Sequence, residues 1–304
     1  MKIVVFDSWG KFMHGPIAHW RELGHEVRVE KHWAPERIEG ARVVYFYPVD
    51  ANLIHAARTP KPPGVRIVAE AVDIDVYAGH SGAVNWDFVD ALVVMAPHML
   101  DLLRHKVPKL PTSLPIHIVP GGVDLERWTL VERPCNYNVA WIGRWWIAKN
   151  LFGALQIFNQ LIRADPEHPW RLWCLGQGWH PEWWQRHCEA YLEANPVLAE
   201  RVEFVDQVAD VNAWLNSTTY LLQTSFKEAF GYCIAEAAAK GIRPVIQNTN
   251  GALATWPREW VFDTHAEAIE MLTNGYDPRS IRGIIEERYP LAKRLAALDE
   301  IVGV

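Results

Sequence analysis

Two glutamates eight residues apart bracket the segment Glu228-Ala-Phe-Gly-Tyr-Cys-Ile-Ala-Glu236, which opens as a glycine-containing turn and continues as an alanine-rich helix. At such a helix start the amides of Phe230, Gly231 and Tyr232 have no intrahelical partner, and the helix dipole adds positive character, so an anion such as a diphosphate is favoured there. Glu228 then sits at the mouth of an anion site. Glu236, two turns further on, can accept hydrogen bonds from ribose-type hydroxyls. A solvated helix face would carry the same spacing, so the pair gains meaning only with a second feature.

That feature is Gly143-Arg144-Trp-Trp-Ile-Ala-Lys149-Asn150, which follows the apolar run Tyr137–Ile142 and precedes a helical pattern from Leu151 to Arg163. A glycine turn at the carboxyl end of a buried strand is where ligands bind in open α/β sheets. Two cations there would neutralise phosphate charge while the carboxylates hold hydroxyls. Such a combination suits a nucleoside diphosphate carrying a sugar.

With these segments in hand, the chain resembles the retaining glycosyltransferases of family 4, within the glycogen-synthase-like superfamily of GT-B fold. The resemblance runs in order through Gly24-His-Glu-Val27, Val119-Pro-Gly-Gly-Val-Asp124, Gly143-Arg144 with Lys149, Leu175-Gly-Gln-Gly178, Arg201-Val-Glu-Phe-Val205, the two glutamates, and Ala239-Lys-Gly-Ile-Arg-Pro-Val245. It is strong from about residue 116 to 251 and thin before that. It implies an α/β chain of two Rossmann-like domains facing a central cleft: an acceptor domain over 1–131, a nucleotide-sugar donor domain over 132–285, and a terminal helix over 286–304 that returns to the first domain.

The resemblance also assigns roles. Arg144 and Lys149 would bind the donor diphosphate and support its departure, with Gly143 beneath them. Glu228 would hold hydroxyls of the transferred sugar, and Glu236 the nucleotide ribose. Phe230, Gly231 and Tyr232 would complete the phosphate cradle, and Asp206, Gln207 and Val208 would lie beside the base. The expected reaction is retaining transfer from a sugar nucleotide to a hydroxyl, without a metal and with no other cofactor. A UDP-sugar is the first choice of donor, followed by GDP- or ADP-sugars.

The first domain departs from the pattern. In place of a paired-glycine loop it has Trp9-Gly10-Lys-Phe-Met-His14-Gly15-Pro16, where Gly15 and His14 are the candidates for backbone approach to phosphate. Gly79-His80-Ser-Gly82 is a second candidate loop. Val72 stands where the family commonly has a histidine facing the C6 side of a hexose, which raises the expectation of a pentose or 6-deoxy donor. Asp73-Ile74-Asp75 has the form of a metal-binding D-x-D and supplies a competing, metal-dependent reading.

Length and composition agree with two cores. The chain has 304 residues, half of them apolar and 22% charged, enough for two domains. Met1–Phe6 is too short an apolar run for a leader or a membrane span, which gives a cytoplasmic expectation. Cys135, Cys174, Cys188 and Cys233 lack metal-type spacing and read as buried free thiols. Residues 1–130 hold 14 Lys plus Arg against 15 Asp plus Glu, a poor match to a DNA acceptor, so a small molecule, glycan or protein hydroxyl is favoured. A non-catalytic nucleotide- or glycan-binding subunit is the alternative.

Apolar runs alternating with helical patterns indicate βαβ units around parallel sheets. Strands are expected at Lys2–Phe6, Glu26–Val29, Val43–Tyr47, Arg66–Ala71, Ala91–Met95 and Ile116–Val119, then at Asn138–Ile142, Arg171–Leu175, Val202–Phe204, Tyr220–Gln223 and Arg243–Gln247. The domain boundary is expected over Leu130–Asn136, where Pro134 interrupts a polar connector, and Pro290 should kink or break the last helix, Ser280–Ile301.

Overall fold

The computed structural model describes residues 1–132 and 135–304. Two compact units emerge, the first made of Met1–Gly122 with Leu291–Val304 and the second of Val123–Pro290.

The first unit is built on a six-stranded sheet of β1 (Lys2–Asp7), β2 (Glu26–Glu30), β3 (Val43–Tyr47), β4 (Arg66–Ala71), β5 (Ala91–Val94) and β6 (Ile116–Ile118). Its spatial order is β2-β1-β3-β4-β5-β6, parallel throughout. Parallel strands are covered on both faces, which is why β3 and β5 are apolar and buried at every position.

The second unit has β7 (Asn138–Ile142), β8 (Arg171–Leu175), β9 (Val202–Val205), β10 (Tyr220–Gln223), β11 (Arg243–Gln247) and β12 (Val261–Phe262). The order is β12-β11-β10-β7-β8-β9, again all parallel. Counted from β7 this is the 3-2-1-4-5-6 order of a nucleotide-binding sheet, whose direction of growth reverses between β7 and β10. The helix Leu151–Ala164 covers one face with Leu151, Leu155, Phe158 and Leu161, all fully buried.

The units part at other places than the expected 131/132 and 285/286. Pro134 lies outside the described residues. Upstream of it the chain already belongs to the second unit, because Trp128 is buried and Arg282 donates to the carbonyls of Leu125, Trp128 and Ala239. The same arginine keeps the helix Pro278–Arg288 in the second unit. Pro290 then separates it from the helix Leu291–Val302, as a residue lacking an N–H would.

Leu291–Val302 is fixed to the first unit by a buried polar network. Arg294 Nη2 lies 2.7 Å from Glu70 Oε1, Tyr45 donates its hydroxyl to Glu70 Oε2 at 2.6 Å, and Arg294 Nη1 donates to the carbonyls of Val119 and Pro120. Glu70 is 0% and Arg294 4% exposed. Burial and the neighbouring Glu70 carboxylate raise the Tyr45 pKa, so its proton stays on the hydroxyl. Gly122 permits this docking, since a Cβ there would come within 2.8 Å of Leu291 Cα.

Removing one member strands the other charge in the core. Arg294→Met should therefore cost about 3 to 5 kcal/mol in urea unfolding of the first unit, with the Glu70→Leu/Arg294→Met pair recovering part of the loss. Wild-type stability for the single variant would show that the network holds nothing.

Candidate active site

The reversal of strand order puts the loop after β7 beside the loop after β10. Each is shaped by glycines and backbone ties. Gly143 N–H donates to Leu175 O, and a Cβ on Gly176 would lie 1.9 Å from Gly143 O, so the loops after β7 and β8 touch backbone to backbone. Trp145 and Ile147 donate to the carbonyls of Gln177 and His180, and His180 donates back to Trp145. The Leu175-Gly-Gln-Gly178 motif is thus a splint for the loop that carries Arg144 and Lys149.

Lys149 ends a 3-10 turn, Ile147–Lys149, and Asn150 follows at φ 52°. The Asn150 side chain accepts from Gly153 N–H at 3.1 Å, capping the helix Leu151–Ala164. Thr224 hydroxyl donates to Asn150 O at 2.8 Å and accepts from Trp141 Nε1, while Phe226 N–H donates to Ala148 O. These ties draw the segment after β10 onto the lysine turn. Lys149 Nζ and Glu228 Oε1 end 2.5 Å apart, with the side chains 25% and 22% exposed.

Behind the pair, Gly231 takes φ +84°, a left-handed conformation that side chains resist, and an added Cβ would strike Ile234 Cδ1 at 2.8 Å. It begins the helix Tyr232–Ala239. Among the described residues no protein backbone acceptor takes a hydrogen bond from the Phe230 or Gly231 amide. Glu236, on the first turns of that helix, is half-buried and its carboxylate has no hydrogen-bond partner among the described residues. Burial pushes its pKa up to about 7, with the Arg127 charge pulling the other way.

Cys233, beside Glu228 and Lys149, has its thiol pushed up to about 12 by burial, so it is no nucleophile. Cys174 and Cys188 are buried free thiols, whereas Cys135 is exposed, against the expectation for all four.

Arg144 is exposed, and its guanidinium has no partner among the described residues. Asp206 and Gln207 are exposed and Val208 half-buried in the loop after β9, next to Gly176, whose N–H donates to Val205 O. Gly15 and His14 belong to the first unit. Gly15 lies within the helix His14–Glu22, packed against Leu291, and His14 Nε2 is 2.9 Å from Gly10 O. His80 is exposed on the 3-10 turn His80–Ala83. Val72 is 4% exposed.

Sequence reasoning missed Gln223 and Ser225. Both are buried, and both hydrogen-bond around Glu228 Oε1. Their only sequence signal is a polar pair at the end of an apolar strand.

Residues 136–272 match the family described as glycosyl transferases group 1. In structure the chain is similar to Anabaena HepE solved with UDP, at a TM-score of 0.79 and 14% identity, covering 100% of both chains. It is likewise similar to HepE solved with UDP-glucose, at a TM-score of 0.77, 14% identity and coverage of 100% and 99%. A third likeness is to the apo lipopolysaccharide outer core galactosyltransferase WaaB, at 0.71, 14% identity and coverage of 100% and 99%. The fold is GT-B. A search of curated proteins gives no match. Within this GT-B chain, no helix among the described residues is long and apolar enough to cross a membrane.

The D-x-D segment takes another role. Asp75 is 2% exposed, and its Oδ2 accepts from the amides of Val49 and Val72 at 3.1 and 3.0 Å. It anchors the helix Asp73–Tyr77 to the loop after β3 and does not reach outward beside Asp73. Burial raises its pKa from 3.8 to about 8. The folded state therefore keeps a proton that the unfolded chain has released, and stability falls as pH rises between these values. An asparagine side chain at this position cannot titrate. The unfolding temperature of Asp75→Asn relative to the native chain should accordingly rise from pH 5 to pH 8, and a constant difference would contradict the assignment.

Proposed function

We propose that the chain is a retaining glycosyltransferase of family 4 that moves a sugar from a UDP-sugar to a hydroxyl acceptor without a metal ion. The observation that carries this reading is the Lys149–Glu228 pair at the point of strand-order reversal, beside the Phe230 and Gly231 amides that no backbone carbonyl among the described residues takes up. HepE was solved with UDP and UDP-glucose, which supports UDP over other nucleotides.

In this reading Arg144, Lys149 and the amides at Gly231 receive the diphosphate. As the bond from sugar C1 to the phosphate oxygen breaks, negative charge grows on the β-phosphate, and fixed cations and N–H dipoles stabilise it. Glu228 holds hydroxyls of the departing sugar. Glu236 accepts from the ribose, and the segment Asp206–Val208 flanks the base. As the acceptor oxygen bonds to C1 its hydroxyl proton passes to the departing phosphate oxygen, and retention follows from attack on that leaving-group face. Its class is a small molecule, a glycan or a protein.

Arg144→Ala or Lys149→Ala should weaken UDP binding by about tenfold or more, the worth of one charge-assisted phosphate contact. Glu228→Ala should instead keep UDP affinity and lose turnover. Isothermal titration and UDP-release assays read the two quantities separately. If neither cation variant changes UDP affinity, the phosphate assignment is wrong. UDP binding with no transfer or hydrolysis by the native chain would favour a binding subunit.

Because cations and a helix start supply the positive charge here, turnover should persist in EDTA. Loss of activity restored by manganese would contradict this.

A further inference from the structure

Lys149 cannot serve two anions at full strength. Its ammonium lies 2.5 Å from Glu228 Oε1, yet a bound diphosphate, with more charge than one carboxylate, would draw the ammonium toward itself. Glu228 would then lose this tether at the moment it must hold the sugar. Another contact has to keep that carboxylate in place.

We infer that Ser225, backed by Gln223, is the positioning residue that orients Glu228 toward the donor sugar. This rests on the glycosyltransferase reading above. Ser225 is 2% and Gln223 4% exposed, so both side chains are fixed by packing. Ser225 Oγ lies 2.9 Å from Glu228 Oε1 and 2.7 Å from Gln223 Oε1. Its hydroxyl has one proton, and an ionised carboxylate is the stronger acceptor. Gln223 Oε1 is meanwhile held by Ser225 N–H at 3.1 Å, and Gln223 Nε2 faces both Glu228 Oε1 and Cys233 Sγ at 3.5 Å.

These contacts converge on Oε1. A carboxylate held at Oε1 by Ser225 and Gln223 is restricted in its rotation, which fixes the direction from which it meets a substrate hydroxyl. When Lys149 turns to phosphate, the Ser225 hydroxyl still donates to Oε1 and keeps the carboxylate from rotating. Glu228 thus touches the sugar, and Ser225 acts only through it.

The test uses the full chain with UDP-glucose as probe, following UDP release in parallel with UDP affinity by calorimetry. Ser225→Ala should lower kcat about tenfold and leave the UDP Kd within about twofold, because UDP carries no sugar for Glu228 to hold. Ser225→Thr, which keeps the hydroxyl, should restore at least about half of the native rate, as a hydrogen bond to the carboxylate requires. In a Glu228→Ala background, Ser225→Ala should have less than about a twofold further effect, since the two residues act as one unit. Losses that multiply in the double variant, or a Ser225→Ala enzyme as fast as the parent, would overturn the inference while leaving the UDP-sugar reading intact. A native chain that binds neither UDP nor UDP-glucose would remove both.

Discussion

Parallel pairing is the constraint from which the rest follows. When every strand of a sheet points the same way, the loops leaving the strands gather on one edge, and only a reversal of strand order opens a gap between neighbouring loops. In the second unit that gap lies between β7 and β10. The residues with charge and hydrogen-bonding capacity are there because the topology leaves them nowhere else to converge.

The chemistry is set by how tightly those loops are tied. Gly143 and Gly176 meet without side chains, Thr224 bridges to Asn150, and Gly231 turns the chain into the helix Tyr232–Ala239. Fixed dipoles at such a helix start need no reorganisation when charge develops on a leaving group, which is what makes them effective. The Lys149–Glu228 pair holds opposite charges half-buried and close, where a ligand can exchange with either.

Much of this was legible in the residues. The strands show as short runs of Val, Ile, Leu and aromatics between glycines and prolines, and β3 together with β4 is buried at all but the first position of β4, as such runs require. Pro290 announces the break in the terminal helix, because a missing N–H acts locally. Gly143, Gly231 and the two glutamates announce themselves through spacing. β12 did not, since Val261–Phe262 is too short to show a period. The pairing of Glu70 with Arg294 was invisible for another reason: the two lie 224 residues apart, and only tertiary packing relates them. The roles of Ser225, Asp75 and Gly176 were hidden likewise, because each depends on which backbone or side chain lies opposite. The unit boundaries shifted because a single arginine, Arg282, holds the carbonyls of Leu125 and Trp128, which the sequence alone assigns to the first domain.

The central claim is that the lysine turn and the Gly231 helix start together form a diphosphate site. A crystal structure of the chain soaked with UDP tests it most directly. The account predicts phosphate oxygens within hydrogen-bond distance of Lys149 Nζ and of the Phe230 or Gly231 amide, with the ribose hydroxyls on Glu236. UDP bound elsewhere, with Lys149 still paired to Glu228 and the amides untouched, would contradict it.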